Sequence, residues 1–253
     1  MKKRLDVLLV ERGLAESRSQ AQALVMAGRV PGFQKAGQQV DDAVELELTQ
    51  PARFVSRGGE KLDHALDAFA VDPTGRRALD VGASTGGFTD VLLQRGAEHV
   101  IALDVGRAQL HERLREDPRV TVMESVNARH LTELPYAAEL ITCDVSFISL
   151  RHVLPPVLRL AAPGWEGVVL VKPQFEAGRS EVKGGVVRSP EVHASVLHDL
   201  AEAAMEWDAA TIGVTDSGLP GPKGNREFFL HLVHREASEL SPELDDWIAD
   251  AVG

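Results

Sequence analysis

Apolar and polar positions fall into two regimes along the chain. From residue 78 onward, short apolar runs alternate with stretches of helical spacing. The runs predict strands at 78–81, 99–103, 120–123, 140–143, 167–171, 211–215 and 227–233. Helical stretches between most of them predict a parallel sheet covered on both faces. The last two runs are joined only by Asp216 to Asn225, a Gly/Pro-rich segment too short for a crossover helix, so that pair reads as an antiparallel hairpin. Before residue 50 the units are shorter. Leu5, Leu8 and Leu9 share one face of a helix expected over 2–12, which Gly13 stops. Ser17 and Gln20 have the spacing of a capping box, opening a second helix to about Ala27 with Ala21, Leu24 and Val25 on its apolar face. Val44 to Leu48 alternates as a half-buried strand. Residues 49–60, with Pro51 and an Arg57-Gly58-Gly59 turn, read as a connector, and Lys61 opens a helix with Leu62, Ala65, Leu66 and Phe69 on one face. The expected domains are thus 1–48 and 61–253.

The stretch Asp80-Val81-Gly82-Ala83-Ser84-Thr85-Gly86-Gly87-Phe88-Thr89-Asp90 is strand, glycine turn and helix, the place where an α/β sheet holds a nucleotide-like ligand. It is neither G-x-G-x-x-G nor a P-loop. Glycines at 82, 86 and 87 leave room for a ligand against the backbone. An acid before the first glycine, Asp80, suits a ligand carrying positive charge, and S-adenosylmethionine fits. A turn that only tightens a βα connection fits the same pattern.

Further polar residues close other strands: Asp104, Asp144 and Lys172. The carboxyl ends of strands face the ligand crevice of an open sheet. Asp104, about 20 residues past the turn, is placed to accept hydrogen bonds from ribose hydroxyls, or to cap the helix that follows. Asn127 follows the next strand and is a candidate for the adenine. A lysine after a buried strand, as at 172, is a poor core residue; a solvent-exposed strand end is the alternative.

Composition narrows the classes. The chain has 253 residues, 44% hydrophobic and 26% charged, and no apolar stretch of membrane-spanning length. One cysteine, Cys143, excludes an internal disulfide, reads as a small buried residue, and suits a reducing cytoplasm. Net charge is −11, yet residues 1–40 hold seven basic and three acidic residues, a basic head suited to nucleic acid. The histidines form no metal-ligand pattern; His231 and His234 fall on opposite faces of a strand.

The runs Arg4-Leu5-Asp6, Gly13-Leu14, Ser17-Arg18-Ser19-Gln20-Ala21 and Met26-Ala27-Gly28-Arg29-Val30 resemble the S4 RNA-binding domain. That resemblance implies phosphate contacts at Arg4, Arg18 and Arg29, with Lys2, Lys3 and Gln20 as lesser ones. Pro31-Gly32-Phe33 departs from the turn the family often carries next. Lys61, Asp144, Lys172 and Glu227 are similar, in order, to the K-D-K-E set of FtsJ-type RNA ribose 2′-O-methyltransferases. With Val55 to Leu62, Cys143 to Ser149, Val171 to Glu176 and Gly184 to Arg188, the chain resembles the TlyA/hemolysin-A family over nearly its whole length. The resemblance implies a class I, Rossmann-like methyltransferase fold with a mostly parallel seven-stranded sheet behind a small α+β S4 domain. It implies S-adenosylmethionine as donor and a ribose hydroxyl of ribosomal RNA, a cytidine in 16S or 23S, as acceptor. Lys172 is expected as the base. An ordinary lysine, with a pKa of about 10.4, is protonated at neutral pH; Lys61 and burial oppose that charge, Asp144 and Glu227 favour it. Arg57, Arg179, Lys183 and Arg188 are candidates for gripping RNA, or else belong to a turn and a mobile surface loop. A non-catalytic RNA-binding assembly factor is the alternative from another class. A membrane-lytic protein, as the family's hemolysin name suggests, finds no long apolar or strongly basic amphipathic segment in support.

Overall fold

The computed structural model describes residues 2–26, 28–49, 53–235 and 239–253. Ala27, expected at the end of the second helix, and Pro51 of the connector lie outside the described residues. The chain divides into two compact units, Met1–Arg53 and Phe54–Gly253.

In the first unit, β1 (Lys2–Arg4) leads directly into α1 (Leu5–Glu11), followed by α2 (Arg18–Met26) and β2 (Gln39–Asp41). β1 pairs antiparallel with β2, Lys3 opposite Val40. Two expectations are corrected here. The helix expected from residue 2 starts at Leu5, because residues 2–4 pair with β2 instead. The segment 44–48 forms no strand: its alternation is real, with Val44, Leu46 and Leu48 packed on the small core and Glu45 and Glu47 exposed, but no ladder partner pairs with it among the described residues. Period-two burial reports a face, not a hydrogen-bonding neighbour. Leu5, Leu8, Leu9, Ala21, Val25 and Val30 fill this core.

The second unit runs α3 (Arg57–Ala68), β3 (Arg77–Val81), α4 (Gly87–Gln94), β4 (His99–Asp104), α5 (Glu112–Arg115), β5 (Val120–Glu124), β6 (Leu140–Cys143), α6 (Leu150–Leu158), β7 (Glu166–Val171), α7 (Pro173–Glu176), α8 (Pro190–Met205), β8 (Ala209–Asp216), β9 (Phe228–His234) and α9 (Leu244–Val252). The helix expected from Lys61 begins at Arg57, so 57–60 are its first turn rather than connector. Phe54 seats against Gly59, where a Cβ would overlap its ring.

The seven strands order as β5-β4-β3-β6-β7-β9-β8. All neighbours are parallel except β9, which runs antiparallel to both β7 and β8. The hairpin strand therefore inserts between β7 and β8 rather than ending the sheet. Successive side chains serve opposite faces. Leu79, Val81, Ile101 and Leu103 pack under α6, α8 and α9, and Ala78, Val100, Ala102 and Leu140 pack under α3 and α4. Strand order reverses between β3 and β6, and the crevice beyond their carboxyl ends is where such sheets hold ligands.

Candidate active site

The glycine turn after β3 is shaped by close approaches within the protein. Gly82 has φ +83°, and a Cβ there would overlap the Asp144 carbonyl. Gly86, at φ +94°, lies against Leu110 and Leu114, and Gly87 against Ser56 and the Gly59 backbone. The glycines expected to admit a ligand thus first admit neighbouring loops; Gly82 and Gly87 also line the cavity, while Gly86 does not. Asp80 is likewise turned inward. It is fully buried and lines neither cavity described below, accepting hydrogen bonds from Thr89 N (2.9 Å), Thr89 Oγ1 (2.7 Å) and Thr142 Oγ1 (3.2 Å). Burial pushes its carboxyl up to about 7, with the nearby Asp144 charge adding to the effect. The expectation that Asp80 faces a cationic ligand is replaced by a role as the post that fixes the turn to α4 and β6.

One cavity, of about 310 Å³, collects Lys61 from α3, Asp144 after β6, Lys172 after β7 and Glu227 before β9, together with Ala83, Ser84, Thr85 and Phe88 of the turn. Residues 166 positions apart meet as Lys61 Nζ donates to Glu227 Oε2 at 2.5 Å, with Glu227 2% exposed. Lys172 forms an ion pair with Asp144 Oδ1, and its ammonium also donates to Ser146 Oγ at 3.0 Å. Each lysine thus has its own carboxylate. Glu227 Oε1 has no hydrogen-bond partner among the described residues and lies under Gly221, where any Cβ would overlap it. A buried acceptor without a donor is costly until a ligand supplies one.

A second cavity, of about 470 Å³, adjoins the first, and Gly82, Ser84 and Asp144 line both. Asp104, Asn127, Val105, Gln109, Ile148 and Phe147 line it. Asp104 is held by Ser84 N on Oδ2 (2.8 Å) and Gly106 N on Oδ1 (2.6 Å), so its carboxylate is oriented before any ligand arrives. The Asn127 side-chain oxygen accepts from Arg129 N at 3.1 Å, capping a short 3₁₀ turn.

Three residues here escaped the sequence reading. Glu124, closing β5 opposite Asp104, accepts from Ala108 N, Gln109 N and Leu110 N and pairs with Arg115, tying down the loop along the second cavity. Arg115 and these amides hold its carboxyl down at about 2. It is one more acid at a strand end, the signal that singled out Asp104 and Asp144. Ser146 and Phe147 lie in the Cys143 to Ser149 run that carries the family resemblance, which singles out neither as a site residue. Phe147, 90% exposed and at φ +63°, stands at the rim with its ring 5.0 Å from that of Phe175.

The structure distributes the RNA candidates unevenly. Arg4 grips the buried Asp6 through Nε (3.0 Å) and Nη2 (2.9 Å), and Arg18 (3.2 Å) and Gln22 (3.0 Å) join them. These arginines hold the Asp6 carboxyl well below the usual range, Arg4 foremost. Arg4 and Arg18 still expose about half of their side chains, 44% and 57%. Lys3 pairs with Glu11, Gln20 accepts from Glu16 N, and Arg29 donates to the Thr49 carbonyl; Lys2 is exposed. Arg57 lines the first cavity and donates to the Pro220 carbonyl. Arg179, Lys183 and Arg188 are exposed on a loop anchored at Gly184, Gly185 and Val187 by Lys223 and the buried Asn225.

Residues 54–234 match the FtsJ-like methyltransferase family, and residues 3–30 match the S4 domain. The chain belongs to the FtsJ-like methyltransferase family. It is 46% identical to the 16S/23S rRNA (cytidine-2′-O)-methyltransferase TlyA of Mycobacterium tuberculosis, over 98% of this chain and 97% of that one. Bacillus subtilis YqxC, which carries a provisional rRNA methyltransferase name, is 47% identical over 96% and 91%. The solved structure of a Streptococcus thermophilus protein provisionally named a hemolysin superposes with a TM-score of 0.76 at 40% identity, covering 98% of this chain and 94% of its own. The FtsJ-like methyltransferase is therefore an S-adenosylmethionine-dependent enzyme with an S4 unit. The second cavity fits that donor's nucleoside, with an oriented acid and apolar walls.

Proposed function

We propose that the enzyme methylates the 2′-hydroxyl of a cytidine in 16S or 23S ribosomal RNA, working on ribosomal subunits in the cytoplasm, with the S4 unit gripping the RNA. The observation that carries the reading is the first cavity: two lysine–carboxylate pairs and an orphaned acceptor, opening beside a nucleoside-sized cavity. When bound, the donor supplies a methyl group activated by a positive sulfur. Asp104 would accept from its ribose hydroxyls, with Asn127 and the turn from Gly82 to Phe88 as the other residues that would hold it. Glu227 Oε1 accepts from the 2′-hydroxyl of a neighbouring nucleotide of the RNA, which orients the acceptor strand; Lys61 fixes Glu227. Lys172 enters as the free amine, takes the 2′-hydroxyl proton and leaves as the ammonium against Asp144. The donor would supply its methyl group to that oxygen, and the positive charge it would give up balances the one gained on Lys172. Alignment of oxygen, carbon and sulfur accounts for most of the acceleration. Arg57, Arg179, Lys183 and Arg188 meet phosphates near the cavity, and Lys2, Lys3, Arg4, Arg18, Gln20 and Arg29 meet them on the S4 unit.

Among the described residues, no helix is long and apolar enough to cross a membrane. Purified enzyme incubated with tritiated S-adenosylmethionine and separated 30S and 50S subunits should label rRNA, and Lys172→Ala should abolish the label. Donor binding without label on subunits, naked rRNA or intact ribosomes would favour the non-catalytic RNA-binding factor instead.

A further inference from the structure

Lys172 has one partner that the family set of four does not include. Ser146, two residues past Asp144 on the loop after β6, receives a hydrogen bond from Lys172 Nζ at 3.0 Å. Ser146 lines the second cavity and Lys172 the first, so this contact bridges the two. The charged groups lining the first cavity with Lys172 are Arg57 and Lys61 of α3, Asp144 after β6 and Glu227 before β9. Asp144 is an acceptor only, and serves Lys172 only while it is an ammonium. A hydroxyl both accepts and donates.

We propose that Ser146 is a positioning residue for Lys172, holding its nitrogen at the junction of the two cavities in both charge states. It accepts from the ammonium and donates to the free amine. The amine's lone pair must leave the serine to take the substrate proton, and the hydroxyl is then at hand to receive a hydrogen bond from the ammonium formed. The role rests on the proposed reaction with Lys172 as base.

Removing the hydroxyl has a signed consequence. The ammonium loses a charge-assisted hydrogen bond and the free amine only a weaker neutral one. The neutral form gains on the charged one, so the rise of rate with pH moves to more acid pH.

The experiment compares wild type, Ser146→Ala, Ser146→Thr and Lys172→Ala in single-turnover methylation of ribosomal subunits across pH, with S-adenosylhomocysteine affinity as the control for an intact fold. Ser146→Ala is expected to lose about tenfold in rate on the alkaline plateau, where Lys172 starts as the free amine and the ammonium formed lacks one hydrogen bond to a charged group. Its pH profile should shift to the acid side while affinity for S-adenosylhomocysteine stays within about twofold of wild type. Ser146→Thr, which keeps the hydroxyl, should recover the rate and the wild-type profile. An unshifted profile in Ser146→Ala, or equal losses in the alanine and threonine variants, overturns the proposal. Failure of the underlying reading is distinct: wild type then gives no product, or Lys172→Ala keeps full rate.

Discussion

At the scale of single residues, two buried acids invite opposite expectations. Glu227 holds the ammonium of Lys61 in a site from which water is nearly excluded. Glu227→Gln leaves that charge without its counterion, and breaking such a pair costs about 3 kcal/mol of stability. Urea unfolding should show that loss, and single-turnover methylation should fall by about a hundredfold, the scale of a misplaced reacting group. Asp80 behaves differently. Its carboxyl, pushed up to about 7, binds a proton more tightly in the folded chain than in the unfolded one. Stability tied to it is full below about pH 4 and drains away as pH rises toward 7. Asp80→Asn keeps an oxygen for Thr89 and offers an amide hydrogen to Thr142 Oγ1. Thermal melts should therefore show the variant gaining stability over wild type, by on the order of 2 kcal/mol at pH 8 and by almost nothing at pH 4. A variant less stable at pH 8 would contradict this account. The sequence placed Asp80 beside the turn correctly but could not tell which way its side chain points. A strand end near a switch point offers both a crevice and a core, and Thr89 and Thr142 decide between them.

At the scale of elements, the sheet was legible because buried parallel strands are short apolar runs with punctuated ends. All seven lie within about two residues of where the pattern places them. The insertion of β9 between β7 and β8 was not legible, since a hairpin fixes which strands are neighbours and not which edge receives them. The start of α3 was misjudged because Gly58 and Gly59 read as a joint; packing of Phe54 on Gly59 and of Ser56 on Gly87 makes that spacing helical. The loop between β4 and α5 supplies a further test. Glu124 anchors three consecutive amides of it. Glu124→Ala should free the wall that carries Val105 and Gln109 and weaken S-adenosylmethionine binding by about tenfold, while the rate at saturating donor stays near wild type. Calorimetry and single-turnover kinetics separate the two. Because the Glu124 carboxyl sits at about 2, below its unfolded value, the anchor holds above about pH 4 and fails as pH falls through 2.

At the scale of the whole molecule, charge tells less than the first forty residues suggest. Carried to residue 53, the S4 unit holds eight basic and seven acidic residues, a net of +1, against −12 for the rest. The acids at 41, 42, 45 and 47 make the difference. RNA binding must then rest on a few placed cations rather than on bulk attraction. Arg4 and Arg18 serve the fold as well, through Asp6, so their substitution confounds two effects. Arg29 is the cleaner probe. Arg29→Ala should weaken rRNA binding by about fivefold, and lower the slope of log affinity against log salt by about one, with donor affinity unchanged. Filter binding across a salt series measures both.

Two glycines carry a consequence for how such a chain can drift. Gly82 lies against the Asp144 carbonyl and Gly221 against Glu227 Oε1, each without room for a single added carbon. Neither has a side chain with which to do chemistry, yet each is the mould around an acid that the reaction is proposed to need. In a library of all single substitutions scored by methylation, positions 82 and 221 should be as intolerant as 144 and 227 themselves. Inheritance at this site would then protect empty space as strictly as it protects charge.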